Sequence, residues 1–177
     1  MHKNLKMYSY VGLALIALTV GLLFVPGFIR GYFLGVKSLS GYNFIFGYYK
    51  YGGINYLAKN VLGQDKGHVS GFGITSLVFL LLAAASLVFQ SKSSILSFFG
   101  GLFIALTGVI YLMTPVWCLS VYSGKVEAFW LAYVLGGVLL AYGAFLIFLA
   151  VLRLKEEKDV LATPKSHQYS YLKKDNK

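Results

Sequence analysis

This sequence has few acidic residues and a single cysteine. Only 6 of the 177 residues are Asp or Glu, and charged residues of both signs make up 12% of the chain. A soluble domain carries about a quarter of its residues as charges. Because 58% of the residues are hydrophobic, a soluble fold of this length lacks the interior to hide them all. The composition therefore predicts an integral membrane protein.

The sequence also lacks the motifs of common catalytic and metal sites. Its single cysteine, Cys118, excludes an intrachain disulfide, and its three histidines, His2, His68 and His167, lie far apart without metal-ligand spacing. Phosphate-binding loops, dinucleotide-binding glycine motifs and nucleophile elbows are missing too. We therefore predict no catalytic residue, no metal and no cofactor, and a protein that is not an enzyme.

Four apolar runs without any charged residue or histidine cover about residues 7–29, 71–89, 94–116 and 128–152. An α-helix of about 20 residues crosses the hydrocarbon core of roughly 30 Å. Pro26 and Gly27 are expected to end or kink the first helix. Residues 1–152 thus predict an all-α membrane domain, an antiparallel bundle of four transmembrane helices. Ionisable residues inside spans mark proton and ion paths, so their absence argues against proton-coupled transport.

The segment between the first two spans, residues 30–70, is rich in Gly and Tyr. The alternation of Tyr42, Phe44 and Phe46 with other residues favours a short strand, whereas 54–62 favours a short interfacial helix. Aromatic side chains prefer the head-group level of a bilayer. We predict a long, partly ordered loop whose contacts to a partner protein or lipid come from seven aromatic residues: Tyr42, Phe44, Phe46, Tyr48, Tyr49, Tyr51 and Tyr56.

Basic residues outnumber acidic ones, 16 to 6. We interpret this excess as lysine and arginine flanking the spans near anionic lipid, which implies the bilayer as a partner and no nucleic acid. The side with both termini and residues 90–93 holds about ten of these residues, which predicts cytoplasmic termini in a plasma membrane. Residues 153–177 are predicted to be a basic cytoplasmic tail, first a helical extension and then, after Pro164, disordered.

Small residues recur at helical spacing in the last two spans. Close helix packing in lipid depends on such stripes, and we predict contacts through Gly101, Ala105 and Gly108 on one helix and Gly137, Ala141 and Ala144 on the other. Ala132 and Gly136 form a neighbouring stripe. The same faces could serve a homo-oligomer or another membrane protein.

The order of spans, with a long first outer loop and a short second one, resembles the layout of claudin-type four-span proteins. The tryptophan and paired cysteines of a claudin first loop are missing from 30–70, so no function or residue role follows from the resemblance.

Two functions remain open from the sequence. The first is a non-enzymatic structural or accessory multi-pass protein that binds a partner protein or lipid through its aromatic loop and small-residue helix faces. The alternative is a small transporter, channel or lipophilic-ligand binder whose path is lined by hydroxyls, tyrosines and glycine backbone.

Overall fold

The computed structural model describes residues 2–31, 37–46, 70–89, 94–122 and 126–162. Within these ranges the chain is mostly helical and carries a small sheet. The helices are α1 (His2–Leu22), α2 (Gly41–Phe46), α3 (Gly71–Phe89), α4 (Ser94–Leu112), α5 (Thr114–Tyr122) and α6 (Trp130–Ala162). The strands are β1 (Pro26–Gly31), β2 (Lys37–Ser40) and β3 (Val126–Ala128).

Three of these helices are long and apolar enough to cross a membrane. They are α3, α4 and the Trp130–Glu156 part of α6, whereas α1 holds a shorter apolar stretch, Met7–Leu22. The chain is therefore a mostly helical protein with three helices suited to span a bilayer.

The first helix ends earlier than the predicted span of 7–29. α1 stops at Leu22, and the amides of Phe24 and Val25 donate to the carbonyls of Gly21 and Leu22 in a closing turn. Pro26 then begins β1, because proline has no N–H to continue a helix. Gly27 follows with a φ of 136°, a left-handed conformation that side chains other than hydrogen disfavour.

A three-stranded antiparallel sheet lies at this end of the helices, in the order β2-β1-β3. In the central strand β1, Ile29 pairs with both Leu39 of β2 and Ala128 of β3. The predicted fourth span began at 128, but residues 126–128 belong to the sheet and α6 begins at Trp130. Because β1 follows α1 and β3 precedes α6, the sheet ties the end of one helix to the start of the other.

The predicted strand at Tyr42, Phe44 and Phe46 is wrong, because these residues lie in the short helix α2. The rings of Tyr42 and Phe46 lie one helical turn apart, with centroids separated by 4.9 Å. The adjacent Phe44 and Ile45 are both buried, so this short helix packs inward through two neighbouring side chains. The strand lies just upstream, over Lys37–Ser40.

The predicted third span, 94–116, is divided between two helices. α4 ends at Leu112, and after Met113 the chain enters α5. Pro115 lies in the first turn of α5, where a missing N–H removes no helical hydrogen bond. The Met113 carbonyl accepts from the amides of Val116 and Trp117, at 3.0 and 3.2 Å.

α4 and α6 approach each other closely through glycine. A Cβ added at Gly108 would lie 2.5 Å from the backbone nitrogen of Leu140, and one at Gly143 would lie 2.5 Å from that of Ala105. A Cβ added at Gly101 would lie 2.9 Å from the Gly143 carbonyl oxygen. The stripe predicted on α4 thus lies in this contact.

On α6 the contact uses Gly143 and Gly136, the second of which belongs to the neighbouring stripe seen in the sequence, and not the predicted stripe. Gly137, Ala141 and Ala144 are exposed, and a Cβ added at Gly137 would meet nothing within 4 Å. The apolar part of α6 is hydrophobic on every side, so its sequence pattern does not indicate which face packs inward.

α1 packs beside α3 and α6 through one buried face: Ser9, Gly12, Ile16 and Thr19. A Cβ added at Gly12 would lie 2.8 Å from Leu87 of α3 and 3.2 Å from the Tyr142 ring of α6. The Tyr142 hydroxyl donates to the Tyr8 carbonyl oxygen, which joins α1 and α6 directly.

Past its apolar part, α6 continues through Arg153, Lys155 and Glu156 to Ala162, two residues before Pro164. The part of the tail predicted to be disordered, 165–177, lies outside the described residues.

Candidate functional site

The most distinctive structure is the cap, which we define as the sheet, α2 and α5 at the end of the helices where α1 stops and α6 begins. Four buried aromatic side chains join it to the bundle: Phe28 of β1, Phe44 of α2, Tyr111 of α4 and Trp117 of α5. The Phe28 ring lies 5.2 Å from Phe44 and 5.1 Å from Tyr111, and Phe44 lies 4.8 Å from Trp117, between ring centroids. Such edge and tilted geometries are the ones aromatic pairs prefer.

This aromatic cluster makes the cap a rigid part of the fold. Truncating a buried phenylalanine to alanine costs about 3–5 kcal/mol. The four side chains come from four separate elements, so each ring constrains two or three of them at once. The cap is therefore fixed to the bundle and presents a defined surface.

Cys118 lies in α5 next to Trp117 and is buried. Burial, with a smaller contribution from the Glu127 carboxylate, raises the pKa of the thiol to about 12. The thiol is therefore protonated near neutral pH, and the protonated form is a poor nucleophile and metal ligand.

Several described hydroxyl groups within the bundle bond to their own helix. Thr19 donates to the Leu15 carbonyl at 2.8 Å, Ser76 to that of Gly73 at 2.7 Å, and Thr107 to that of Phe103 at 2.9 Å. Such bonds keep the side chain satisfied without a partner on another helix.

Tyr111 and Thr114 differ from these residues. Their hydroxyls are buried and form no hydrogen bond among the described residues. The Tyr111 hydroxyl lies near that of Ser76 without reaching hydrogen-bond geometry. Both groups lie where α4 meets α5, at the base of the cap.

The predicted contact residues fall into three groups. Phe44 is fully buried in the aromatic cluster, so it serves the fold and is not accessible to a partner. Tyr42 is half-buried and Phe46 is exposed. The remaining residues of the prediction lie outside the described residues: Tyr48, Tyr49, Tyr51 and Tyr56.

Sequence reasoning did not single out Phe24, Phe28 or Trp117. The first two fell inside a predicted span, where another phenylalanine carries no signal. Phe24 is exposed and stacks on Tyr42 with ring centroids 5.6 Å apart. The interfacial preference of aromatic residues near a helix-ending Pro-Gly pair is the one signal that could have identified it.

Within the Gly/Tyr-rich segment, the part that connects α2 to α3 begins and ends at a backbone contact. The amide of Ser70 donates to the Ile45 carbonyl at 3.1 Å. The Ser70 hydroxyl then accepts from the Gly73 amide at 3.0 Å and caps α3. A Cβ added at Gly73 would lie 2.7 Å from the Ile45 Cα, so α2 rests directly on the first turn of α3. The chain leaves α2 and returns to α3 at one point, which we call the clamp (Ile45, Ser70 and Gly73).

Metal-ligating side chains do not gather in the part of the chain that the structure describes: no three His, Cys, Asp or Glu residues lie together there. No protein-family model matches the chain, and no curated protein matches it in sequence. The cap and the clamp thus carry the functional argument.

Proposed function

We propose that this protein is a four-span membrane protein with a structural or accessory, non-enzymatic role, and that it presents its Gly/Tyr-rich segment to a partner protein or lipid. The clamp is the observation that supports this most. The clamp brings the end of α2 and the start of α3 to one fixed point, and connecting segments that a rigid scaffold positions in this way commonly carry binding functions.

The fourth span of this proposal is α1. Its apolar stretch, Met7–Leu22, corresponds to about 24 Å of helix, and the apolar residues 23–25 that follow it extend the run toward the hydrocarbon thickness of roughly 30 Å. The packing of Gly12 against Leu87 and Tyr142 supports the same assignment, because both neighbours belong to helices suited to span the bilayer.

Orientation follows from the basic residues. With four spans, both termini and residues 90–93 lie on the side with about ten of the 16 Lys and Arg residues. The positive-inside rule places that side in the cytoplasm. The cap and the clamp then face the outside of a plasma membrane.

The transport alternative receives less support from the described residues. A path through the bundle needs polar groups near the midplane, and Thr107, in the second half of α4, is bonded to its own helix. Tyr111 and Thr114 carry unbonded buried hydroxyls, but both lie at one end of the bundle, at the base of the cap.

The test is to replace residues 48–68 with a Gly/Ser linker of equal length. This exchange keeps Phe44, Ile45 and Ser70, so the aromatic cluster and the clamp remain. A deletion of 41–53 would remove Phe44 and Ile45, both buried, and would confuse unfolding with loss of binding.

Chemical cross-linking on intact cells, followed by purification in mild detergent, should recover partners with the natural chain and lose them with the exchanged one. The matched control exchanges 165–177 for a linker of equal length and should keep the same partners. An unchanged set of cross-linked proteins and lipids in the 48–68 variant would refute the proposal.

A further inference from the structure

Aromatic side chains remain exposed where several elements meet the cap. Phe24 is 65% exposed after α1, Phe46 39% at the end of α2, Phe72 53% at the start of α3 and Trp130 50% at the start of α6. We call these four residues, with the half-buried Tyr42, the aromatic belt. Isolated exposed apolar residues are ordinary in a protein surface, and other exposed aromatic rings lie along the bundle and toward its other end, at Tyr10, Phe89, Phe99, Phe145 and Phe148. The belt is distinguished by its position, because the ends of four helices bring its five rings to the cap end of the bundle.

Direct contacts place the belt residues at similar heights along the bundle. Tyr42 lies between Phe24 and Phe46, with ring centroids 5.6 and 4.9 Å away. Its amide donates to the Leu23 carbonyl at 2.8 Å, which fixes α2 to the end of α1.

The starts of α3 and α6 lie at the same height along the bundle. The clamp sets α2 on the first turn of α3, beside Phe72. A Cβ added at Gly27 would lie 3.1 Å from the Trp130 indole nitrogen, so the start of α6 lies against β1 just beyond Phe24.

Helix length places this height at a bilayer boundary. The 19 residues of α3 span about 28 Å, close to the hydrocarbon thickness of roughly 30 Å. Neither end of α3 can then lie far from a boundary, and Phe72 is its second residue. On α6, the residues between Trp130 and the first charge at Arg153 correspond to about 34 Å, which sets the opposite boundary near Arg153.

We propose that the aromatic belt lies in the lipid head-group layer at the cap end of the bundle, with α2 as a short interfacial helix. The occupant of this surface is the bilayer itself, because the belt continues the exposed apolar surfaces of α1 and α3, which include Leu18, Val78 and Leu81. Aromatic rings favour this layer over both water and hydrocarbon. The inference requires that α3 and α6 cross the membrane, but it does not depend on partner binding by the Gly/Tyr-rich segment.

Spin labels attached to single cysteines test this placement. Replacement of the buried native thiol, Cys118→Ala, gives a background without reactive cysteine. Phe24→Cys and Phe46→Cys then carry the belt labels, while Leu81→Cys and Lys155→Cys, at exposed positions in mid-α3 and after Arg153, serve as deep and aqueous references. The protein is studied in vesicles of phosphatidylcholine and phosphatidylglycerol.

Collision with oxygen and with a water-soluble nickel complex reports depth. Labels at Phe24 and Phe46 should collide with nickel several-fold less than the Lys155 label and several-fold more than the Leu81 label. Nickel collision equal to that at Lys155 would overturn the proposal and assign the belt to water. Shielding from both reagents would overturn it in favour of a protein contact. A Leu81 label as accessible to nickel as the Lys155 label would instead refute the spanning of α3.

A second measurement uses the unsubstituted belt and serves if a cysteine variant fails to fold. Trp130 fluorescence should be quenched more by lipids brominated near the head group than by lipids brominated near the chain end. The Trp130→Phe variant keeps the buried Trp117 as its single tryptophan, so its fluorescence gives the Trp117 signal that is subtracted. Equal quenching by both lipids, or none, would overturn the placement.

Discussion

Gly108→Ala should destabilise the bundle, whereas Gly137→Ala should not. The two glycines lie in helices that pack together, and each substitution adds one methyl group. At Gly108 the new Cβ would lie 2.5 Å from the Leu140 backbone nitrogen and 2.7 Å from the Gly136 carbonyl oxygen. At Gly137 it would meet nothing within 4 Å. The pair therefore separates close helix packing from every other effect of a methyl group.

The expected loss of stability in Gly108→Ala follows from how far the added Cβ would lie inside the ordinary contact distance. Ordinary van der Waals contact begins at 3.4 Å, so α4 and α6 must separate by about 0.9 Å at this point, because backbone atoms cannot rotate away. A gap of about 0.5–1 Å forfeits a quarter to a half of each dispersion contact across it. Overpacking of this kind costs about 1–3 kcal/mol. The gain in helix propensity from Gly to Ala applies to both variants and cancels in their comparison.

Unfolding by SDS in detergent micelles, followed by tryptophan fluorescence, measures both variants against the natural chain. Gly108→Ala should unfold at a lower SDS fraction, by the equivalent of about 1–3 kcal/mol, and Gly137→Ala at an unchanged or slightly higher one. The double variant Gly108→Ala and Gly143→Ala should cost less than the two single losses combined, since helices already separated admit the second methyl group more easily. Equal stability of Gly108→Ala and Gly137→Ala would refute the assigned packing face.

Two further predictions concern the cap. Phe44→Ala should lower the free energy of unfolding by about 3–5 kcal/mol, whereas Phe46→Ala, at an exposed position, should lower it by much less. Similar losses for the two variants in SDS titrations would contradict the assignment of Phe44 to the core. Cys118 should resist maleimide in the folded protein between pH 6.5 and 9 and react once the protein is unfolded, since burial raises the thiol pKa to about 12 from its ordinary 9.0. Rapid maleimide labelling of the folded protein at pH 7 would refute the burial of Cys118. Because the thiol loses its proton at lower pH in the unfolded chain than in the folded protein, the contribution of Cys118 to stability should fall as pH rises above about 9. The Cys118→Ala variant should lack this pH-dependent loss of stability.

The apolar helices could be predicted from the sequence because their signal is compositional. A run of about 20 residues without charge is costly in water and favourable in lipid wherever it packs. The bounds of α3, 71–89, follow from the polar residues that flank it. The face by which a helix packs, and the residues in that contact, could not be predicted in the same way, because a helix that is apolar on all sides gives no periodic signal. The predicted stripe of Gly137, Ala141 and Ala144 therefore missed the packed face by one residue.

The cap could not be predicted from local pattern. Its central pairing joins Ile29 to Ala128, about 100 residues apart in sequence, and no local alternation marks so short a strand as β3. In α2, six residues with aromatic side chains at every second position fit a strand as well as a helix. The choice is made by tertiary contact, because Phe44 packs on the Phe28 ring and Ile45 packs on the first turn of α3.

The clamp and the aromatic belt, taken together, restrict which molecules could act as the proposed partner of the Gly/Tyr-rich segment. Ile45 belongs to the same short helix as Tyr42 and Phe46, and Ser70 directly precedes α3. If α2 lies in the head-group layer, the segment leaves and re-enters the fold at the membrane surface and not on a stalk above it. A partner bound near the clamp must then approach within the head-group region, as lipid head groups and neighbouring membrane proteins do. Cross-linkers that act at the membrane surface should therefore capture the partner more efficiently than those that act in bulk water.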